Sequence, residues 1–504
     1  MADSPIPSAR PARFSRRDAG LGVDPGADLP AGLAAHLAAH LTAVDRPIAA
    51  ARGLPNAAYT AAEFHRFERA HLFARAWTAL AFCADHATPG RVTPVDFMGW
   101  PLLIACARDG RPAVFHNVCS HRGRRLVDAP KTTGGLLVCP YHAWAYDLSD
   151  ASGRLKSTPH IGGVGAHQAD GFCRAAHGLK AVRSHCWLGV LFIDLSGDAP
   201  AFEEYAAPLV ARYRPYLGAA MDGGAAAAEA LASPAADAGL TLEAECNWKL
   251  AVENYCEAYH LPWIHPSLND YSPLQDHYAV IVSEDFAGQG TRTFRPALGD
   301  GDGGDGAGDG GGDGDGGGDD GDGDGAGGDG ALPEFPDWPA AQRETAEYPV
   351  FYPNLLLGFQ VNHFFALIIR PLAAGRIREE VRLFYTGDGA HAARCQAARA
   401  ANLAAWTRVF SEDISAVEGM QRGRQSPGFG GGVFSPAMDA PTHHFHRWVA
   451  RKYRAALGDG GGCGDGDGDS NGDRGGDDGD GNGGRDRGRN NGDSDKIDSG
   501  NGGE

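Results

Sequence analysis

Apolar residues recur along this chain with two different periods. Residues 61–76 place Phe64, Phe67, Leu72 and Phe73 at helical spacing, which predicts a helix. Residues 398–422 carry Leu403, Trp406, Phe410, Ile414 and Val417 on one side, which predicts a long helix. A weaker helix is expected around 33–44 and a last one around 443–457. Between Trp77 and about Leu195 the apolar runs are short and β-rich, as in 101–105, 113–115, 136–138 and 187–193. Beyond 197, helical patterns flank strand patterns such as 354–359 and 363–371, and the glycines of 428–432 mark a turn. The sequence therefore predicts an α+β chain: an extension (1–46), a helix region (47–76), a β-rich region (77–196) and a larger region mixing helices and strands (197–457).

Composition changes this picture in two places. The chain has 504 residues and a net charge of −19. Residues 299–330 contain eleven Asp and no base, and residues 458–504 carry a net −8, so these two segments hold all of the excess charge. Both are Gly/Asp-rich and bury no apolar surface, so disorder is expected there. Calcium binding is the functional alternative, but the nine-residue repeat with an apolar position is missing. For the insert, a tolerated surface expansion is preferred over an active-site lid. No run of eighteen apolar residues occurs, so no membrane span is expected, and no basic patch points to nucleic acid. Arg10, Arg13, Arg16 and Arg17 are followed by no apolar stretch, which argues against a secretory signal; an organelle transit peptide stays open. Ten cysteines without framework spacing fit a reduced, cytoplasmic protein.

The chemistry concentrates in two motifs. Cys119-x-His121 and, seventeen residues on, Cys139-x-x-His142 each follow a short apolar strand. Each turn offers one thiolate and one imidazole, the ligand set of a Rieske [2Fe–2S] centre. A Cys2His2 zinc site uses the same ligand types, but usually pairs like with like. Gly123 and Pro140 suit the turns, and Tyr141 and Trp144 could shield the cluster. Downstream, Asn247-Trp248-Lys249 opens an amphipathic run that leads to Glu257, His260 and His265. Five residues apart on an unbroken helix, the two histidines would diverge. Pro262 is expected to end the helix near His260, letting His265 return from a loop. Two imidazoles and one carboxylate make the facial triad of non-haem Fe(II) sites, although two ordinary polar histidines fit the same residues. The acidic pair Glu412-Asp413 beside the apolar side of the long helix is a candidate carboxylate source; a solvated helix face is the alternative.

Together these motifs resemble the α subunit of Rieske non-haem iron, ring-hydroxylating oxygenases, from about Ala57 to Leu457 apart from the insert, closest to the choline, carnitine and betaine branch. The resemblance implies an N-terminal all-β Rieske domain and a helix-grip (START-like) catalytic domain with an antiparallel sheet. It implies a cluster on Cys119, His121, Cys139 and His142 and mononuclear Fe(II) on His260, His265 and Asp413, with Glu412 as fallback. It implies that Glu257 links His260 to a cluster histidine of a neighbouring subunit, with Asn254 a further catalytic-site residue, and hence a homotrimer. It also implies O₂, a separate NAD(P)H-dependent flavin or iron–sulfur reductase, and a small quaternary ammonium substrate. Aromatic-acid hydroxylation or O-demethylation is the alternative, and a Rieske electron carrier the non-enzyme one. Tyr255, Tyr259, Trp263, Tyr271, Phe359, His363, Phe364 and Phe365 are the pocket candidates; ordinary core packing is the competing reading of most of them. The chain itself shows no dinucleotide fingerprint, since its glycine runs neither follow a strand nor open a helix.

Overall fold

The short apolar runs of the N-terminal half pair into antiparallel sheets. In chain order these are β1 (Thr78–Phe82), β2 (Arg91–Phe97), β3 (Trp100–Cys106), β4 (Pro112–His116), β5 (Lys131–Thr132), β6 (Leu136–Val138), β7 (Ala145–Asp147), β8 (Arg154–Ser157), β9 (Ala181–Trp187) and β10 (Val190–Asp194). Seven form one sheet in the order β1-β10-β9-β4-β3-β2-β5, and β6-β7-β8 form a second. The run expected as one strand over 187–193 is two strands. Leu188 and Gly189 both take positive φ and close a tight hairpin, the same device as Met98-Gly99 between β2 and β3. This is a computed structural model, and it describes residues 28–222, 231–232, 239–295 and 330–459. The expectations for the Gly/Asp insert and tail fall, but for their edge residues, outside the described part.

The second half supplies β11 (Leu231–Ala232), β12 (Gly239–Ala244), β13 (His277–Ser283), β14 (Phe286–Thr291), β15 (Ala346–Phe351), β16 (Leu355–Gln360), β17 (His363–Ala373) and β18 (Arg376–Thr386). They make an eight-stranded antiparallel sheet in the order β11-β18-β17-β16-β15-β14-β13, with β12 also on β18. Both faces are covered, which is why β16 is buried at every position and β17 nearly so. On one face Phe365, Leu367, Ile369, Ile377 and Val381 pack against Trp406, Phe410 and Val417 of the long helix Gln396–Gly423. On the other, Leu355, Ile368 and Phe384 meet the helix Phe202–Leu217 and Trp187, Val190 and Phe192 of the N-terminal sheet. Asn354 joins the two sheets: its amide bonds the backbone of Ala79 in both directions, at 3.0 Å each, and the Ile369 carbonyl at 2.9 Å. This is the α+β architecture expected, a sheet gripping one long helix beside a smaller all-β domain.

The helix expected over 61–76 runs only through Ala62–His71, then tightens into a single 3-10 turn, Phe73–Arg75. The helix Trp248–Tyr255 also ends early, before Cys256. Pro262 does not terminate it. It opens a separate turn, Leu261–Ile264, where a missing N–H costs nothing because the first N–H groups of a helix have no partner anyway. The Gln289 amide finishes the earlier helix instead, donating to the carbonyls of Tyr255 (3.4 Å) and Glu257 (3.0 Å).

Beneath that helix lies a buried charged network. Lys249 Nζ is 2.5 Å from Glu68 Oε1, with both side chains fully buried, and Trp248 Nε1 and the Tyr453 hydroxyl also donate to Glu68. Glu253 accepts from the Tyr59 hydroxyl, from Arg424 at 3.0 Å, and faces His446 at 3.2 Å. Burial alone would raise the Glu253 carboxyl; His446, Arg424 and Tyr59 outweigh it and hold it at about 2. Removing one partner leaves a buried uncompensated charge. Glu68→Ala is therefore expected to lower unfolding free energy by about 3–5 kcal/mol in denaturant titrations. A loss below about 1 kcal/mol would show that Lys249 finds other solvation.

Candidate functional site

The two Cys/His loops repeat one backbone pattern. Cys119 N–H donates to Arg124 O and Gly123 N–H returns to Cys119 O; Cys139 N–H donates to Trp144 O and Ala143 N–H returns to Cys139 O. Gly123 and Ala143 occupy equivalent positions and both take positive φ. Glycine does so freely and alanine under strain, so only the first was visible from the sequence. The loops bury both thiols. His121 and His142 stand with Nδ1 atoms 3.1 Å apart, partly exposed. Trp144 is buried and stacks on His121 at 4.6 Å, while Tyr141, largely exposed, lies 3.7 Å from His142, between ring centres. Two residues escaped the sequence reading. The Tyr146 hydroxyl lies 3.1 Å from Cys119 Sγ and accepts the Ser120 N–H, and buried Asn117 ties the loop to Leu126 and Val127 through three hydrogen bonds. Two thiols on one side and two imidazoles on the other fit a mixed-ligand cluster, iron by iron.

The second site joins three elements. His260 ends the turn after Trp248–Tyr255, His265 follows the Leu261–Ile264 turn, and Asp413 projects from the long helix. One ligand atom from each lies within 4.8 Å of the others. His265 Nε2 is 2.9 Å and His260 Nε2 3.8 Å from Asp413 Oδ1. Each imidazole turns its other nitrogen to a carboxylate: His260 Nδ1 to Glu257 and His265 Nδ1 to Glu412, both at 2.7 Å. That is how metal-facing histidines are usually oriented. Glu412 thus sits behind a histidine, not beside Asp413's open oxygen. Asn254 Nδ2 donates to Asp413 Oδ1 at 2.7 Å. Glu257 and His260 meet across a non-helical turn, not on a helix surface, because the helix has already ended. Burial lowers His265, but the Asp413 and Glu412 carboxylates outweigh it and raise its pKa. Glu379 of β18, unforeseen in the sequence, is buried within reach of the Asp413 charge; burial, then that charge, pushes its carboxyl up to about 8.

A cleft opens onto the trio, lined by Leu261, Leu268, Val409, Phe410, Trp406, Tyr348 and Tyr255 with Ser272, His277 and Gln289. Of the expected pocket residues, Tyr255 lines it and Phe365 backs Trp406 at 4.5 Å. Tyr271 stands outside the lining, edge-on to Phe294. Tyr259 and Trp263 are solvent-exposed, Trp263 by 70%. Phe359 and Phe364 point to the opposite sheet face, since alternate strand residues face opposite ways. His363 lies behind the wall, accepting from Trp406 Nε1 at 2.8 Å. Trp406, Phe410 and Tyr348 were missed as lining because their apolar spacing reads equally as core.

Residues 76–168 match the Rieske [2Fe-2S] domain family, and residues 231–455 match the ring hydroxylating alpha subunit catalytic domain. The chain thus carries a Rieske domain followed by a ring-hydroxylating alpha subunit catalytic domain. The first is a [2Fe–2S] domain and the second a catalytic domain of the mononuclear iron type. The chain is 30% identical over 266 residues to a glycine betaine monooxygenase oxygenase subunit of Chromohalobacter salexigens, covering 49% of the chain and 55% of the relative. It is 31% identical over 208 residues to a chlorobenzene dioxygenase subunit alpha of a Cupriavidus species, covering 40% and 42%. The chain spans about half the length of the curated relatives it matches. Among solved structures, a quaternary ammonium Rieske monooxygenase in complex with L-carnitine superposes with a TM-score of 0.58 at 19% identity, over 82% of this chain and 98% of that one. No described helix is long and apolar enough to cross a membrane.

Two outcomes follow from this geometry. Asp413→Ala should lose the mononuclear iron, measured by metal analysis, with the cluster spectrum intact, whereas Glu412→Gln should weaken that iron by about 10–100-fold without abolishing it. The reverse ranking would exchange the roles of the two carboxylates. Burial lowers His363 to about 3. An unfolded histidine takes its proton near 6.5, so the unfolded state binds more protons between these values. The contribution of His363 is complete above about pH 6.5 and is lost as pH falls toward 3. His363→Gln should flatten the fall in Tm between pH 7 and 4; an unchanged slope would contradict this.

Proposed function

We propose that this chain is the terminal oxygenase component of a system that hydroxylates, or through hydroxylation N-demethylates, a small quaternary ammonium compound of the choline, betaine or carnitine kind. The observation that carries this reading is the cleft: His260, His265 and Asp413 share it with the rings of Trp406, Phe410 and Tyr348. Aromatic faces attract a desolvated trimethylammonium group by about 2 kcal/mol. The glycine betaine monooxygenase relative and the carnitine-bound structure point the same way.

Cys119 and Cys139 would hold one iron of the cluster, His121 and His142 the other; His260, His265 and Asp413 would hold the mononuclear iron. With both groups bound, the site would supply single electrons and O₂ activation, placing one oxygen atom in a C–H bond while the other leaves as water with two electrons and two protons. The chain's own residues set the conditions. Glu257 and Glu412 fix the imidazole orientations, Asn254 holds Asp413, and Leu261, Leu268 and Val409 keep water from the reacting carbon. Glu257 is 15% exposed, so its carboxylate can accept a hydrogen bond from a cluster histidine of a neighbouring subunit. That contact makes a head-to-tail ring, most simply a homotrimer. Electrons would come from a separate NAD(P)H-dependent reductase. The nine described cysteines are all free thiols, which supports a reducing, cytoplasmic setting.

The chlorobenzene dioxygenase relative favours a second reading, oxidation of an aromatic compound such as an aromatic acid. The metal-ligand trio and the catalytic-domain match argue against a bare electron carrier. A product assay with reductase, NADH and a panel of choline, glycine betaine, carnitine and benzoic acids separates these readings. Oxygen consumption with an ammonium compound is the expected result, and turnover of the benzoic acids alone would replace it. Glu257→Gln should keep both metal sites but fail to oxidise the cluster when substrate and O₂ are added; cluster oxidation at the normal rate would remove Glu257 from the electron path.

A further inference from the structure

The polar groups on the cleft wall are almost all committed to protein partners. His277 bonds Gln289 at 2.8 Å and Ser272 at 3.0 Å. The Gln289 amide holds two backbone carbonyls, the Tyr255 hydroxyl donates to Leu357 O at 2.6 Å, and Asn254 holds Asp413. Two groups differ. The Tyr348 hydroxyl, on β15, and both amide atoms of Gln360, at the end of β16, are buried without a hydrogen-bond partner among the described residues. Gln360 is 1% exposed and shares its sheet face with Leu356, toward the long helix. Its amide is close enough to Tyr348 to favour the phenolate, though burial dominates and raises that hydroxyl.

A buried polar group left unpaired is costly, and an unpaired hydroxyl on a residue that lines a binding cleft, with an unpaired amide close to it, is a recognition feature in waiting. We propose that the Tyr348 hydroxyl, backed by the Gln360 amide, forms with it a specificity-determining pair that hydrogen-bonds an oxygen atom of the substrate, a hydroxyl or one carboxylate oxygen. This rests on the reading of the cleft as a substrate site and deepens it. The pair stands on the sheet wall, whereas His260, His265 and Asp413 stand on helices and turns. A substrate held at both walls is fixed along its length, with the ammonium group against Trp406 and Phe410. Both side chains are uncharged. Phenol and amide can each donate as well as accept, so the pair suits a hydroxyl or the carboxylate of a zwitterion. An aromatic cage alone takes any trimethylammonium compound; the pair would separate those that carry an oxygen from those that do not.

The test titrates the metal-loaded oxygenase with choline, glycine betaine and tetramethylammonium, and with benzoate against toluene, following binding calorimetrically. Wild type should bind choline or glycine betaine at least about tenfold tighter than tetramethylammonium, the preference between the first two telling hydroxyl from carboxylate. Tyr348→Phe and Gln360→Leu should each erase most of that ratio while leaving tetramethylammonium within about twofold. Ligand-free Gln360→Leu should melt no lower than wild type, because an unpaired amide has been replaced by an apolar group. Equal weakening of all ligands, or no oxygen preference in wild type, overturns the pair. If the preference and its loss appear only with benzoate over toluene, the pair stands and the quaternary ammonium reading falls.

Discussion

The ion pair between Lys249 and Glu68, with its companion Glu253–Arg424–His446, is the constraint on which the catalytic half depends. A charge this deep tolerates no displacement, since each move strips it of a partner that water cannot replace. Four segments meet there: Ala57–Thr60 through Tyr59, Ala62–His71 through Glu68, Trp248–Tyr255 through Lys249 and Glu253, and the C-terminal helix Ala440–Asp459 through His446 and Tyr453. The network fixes the axial position and rotation of Trp248–Tyr255. Asn254 leaves that helix toward Asp413, and the chain then turns into His260. Precision at the metal-ligand trio is thus supplied from a buried charge layer one helix turn away. The Asn-Trp-Lys sequence reads accordingly: Asn247 caps the helix, and Trp248 and Lys249 both bind Glu68.

Orientation at the trio comes from carboxylates rather than from packing. A histidine has two nitrogens, and only the one turned to a fixed acceptor decides which is left for a metal. Glu257 and Glu412 make that choice for His260 and His265, one from a turn and one from the long helix. Adjacent residues on a helix diverge by about 100°, so Glu412 and Asp413 cannot both face the same point. One reaches behind His265 while the other reaches its front.

Much of this was legible. Cluster-loop residues declare themselves because ligand type and spacing are local, and the long helix was placed within two residues at its N-terminal end because its apolar period persists. What failed was decided by tertiary context. Pro262 reads as a terminator from its own chemistry, but the helix ends earlier, where the Gln289 amide of β14 takes its last carbonyls. Strand pairing hid in the run 187–193, where a single glycine marked the hairpin. Aromatic lining could not be told from aromatic core: Phe364 and Phe365 are neighbours in sequence, yet one backs the cleft wall and the other packs toward the N-terminal sheet. Gln360 and Glu379 gave no signal at all, since burial of a polar side chain is visible only once the sheet closes over it.

The long helix shows how these pieces share one register. Trp406, Phe410, Asp413, Val417, Gln421 and Arg424 follow one another at steps of four, three, four, four and three residues, which keeps them on a single stripe. Along that stripe the function changes by position. Trp406 and Phe410 wall the cleft, Asp413 meets the histidines, and Val417 seals the core. Gln421 accepts the Asn247 N–H and donates to Tyr59 O, and Arg424, just past the helix end, neutralises Glu253. A rotation of this helix by one residue would withdraw Asp413, uncap Trp248–Tyr255 and leave Glu253 unpaired at once. The cleft, the trio and the buried charges are therefore not independently adjustable; whatever fixes one end of the helix fixes the chemistry at its middle.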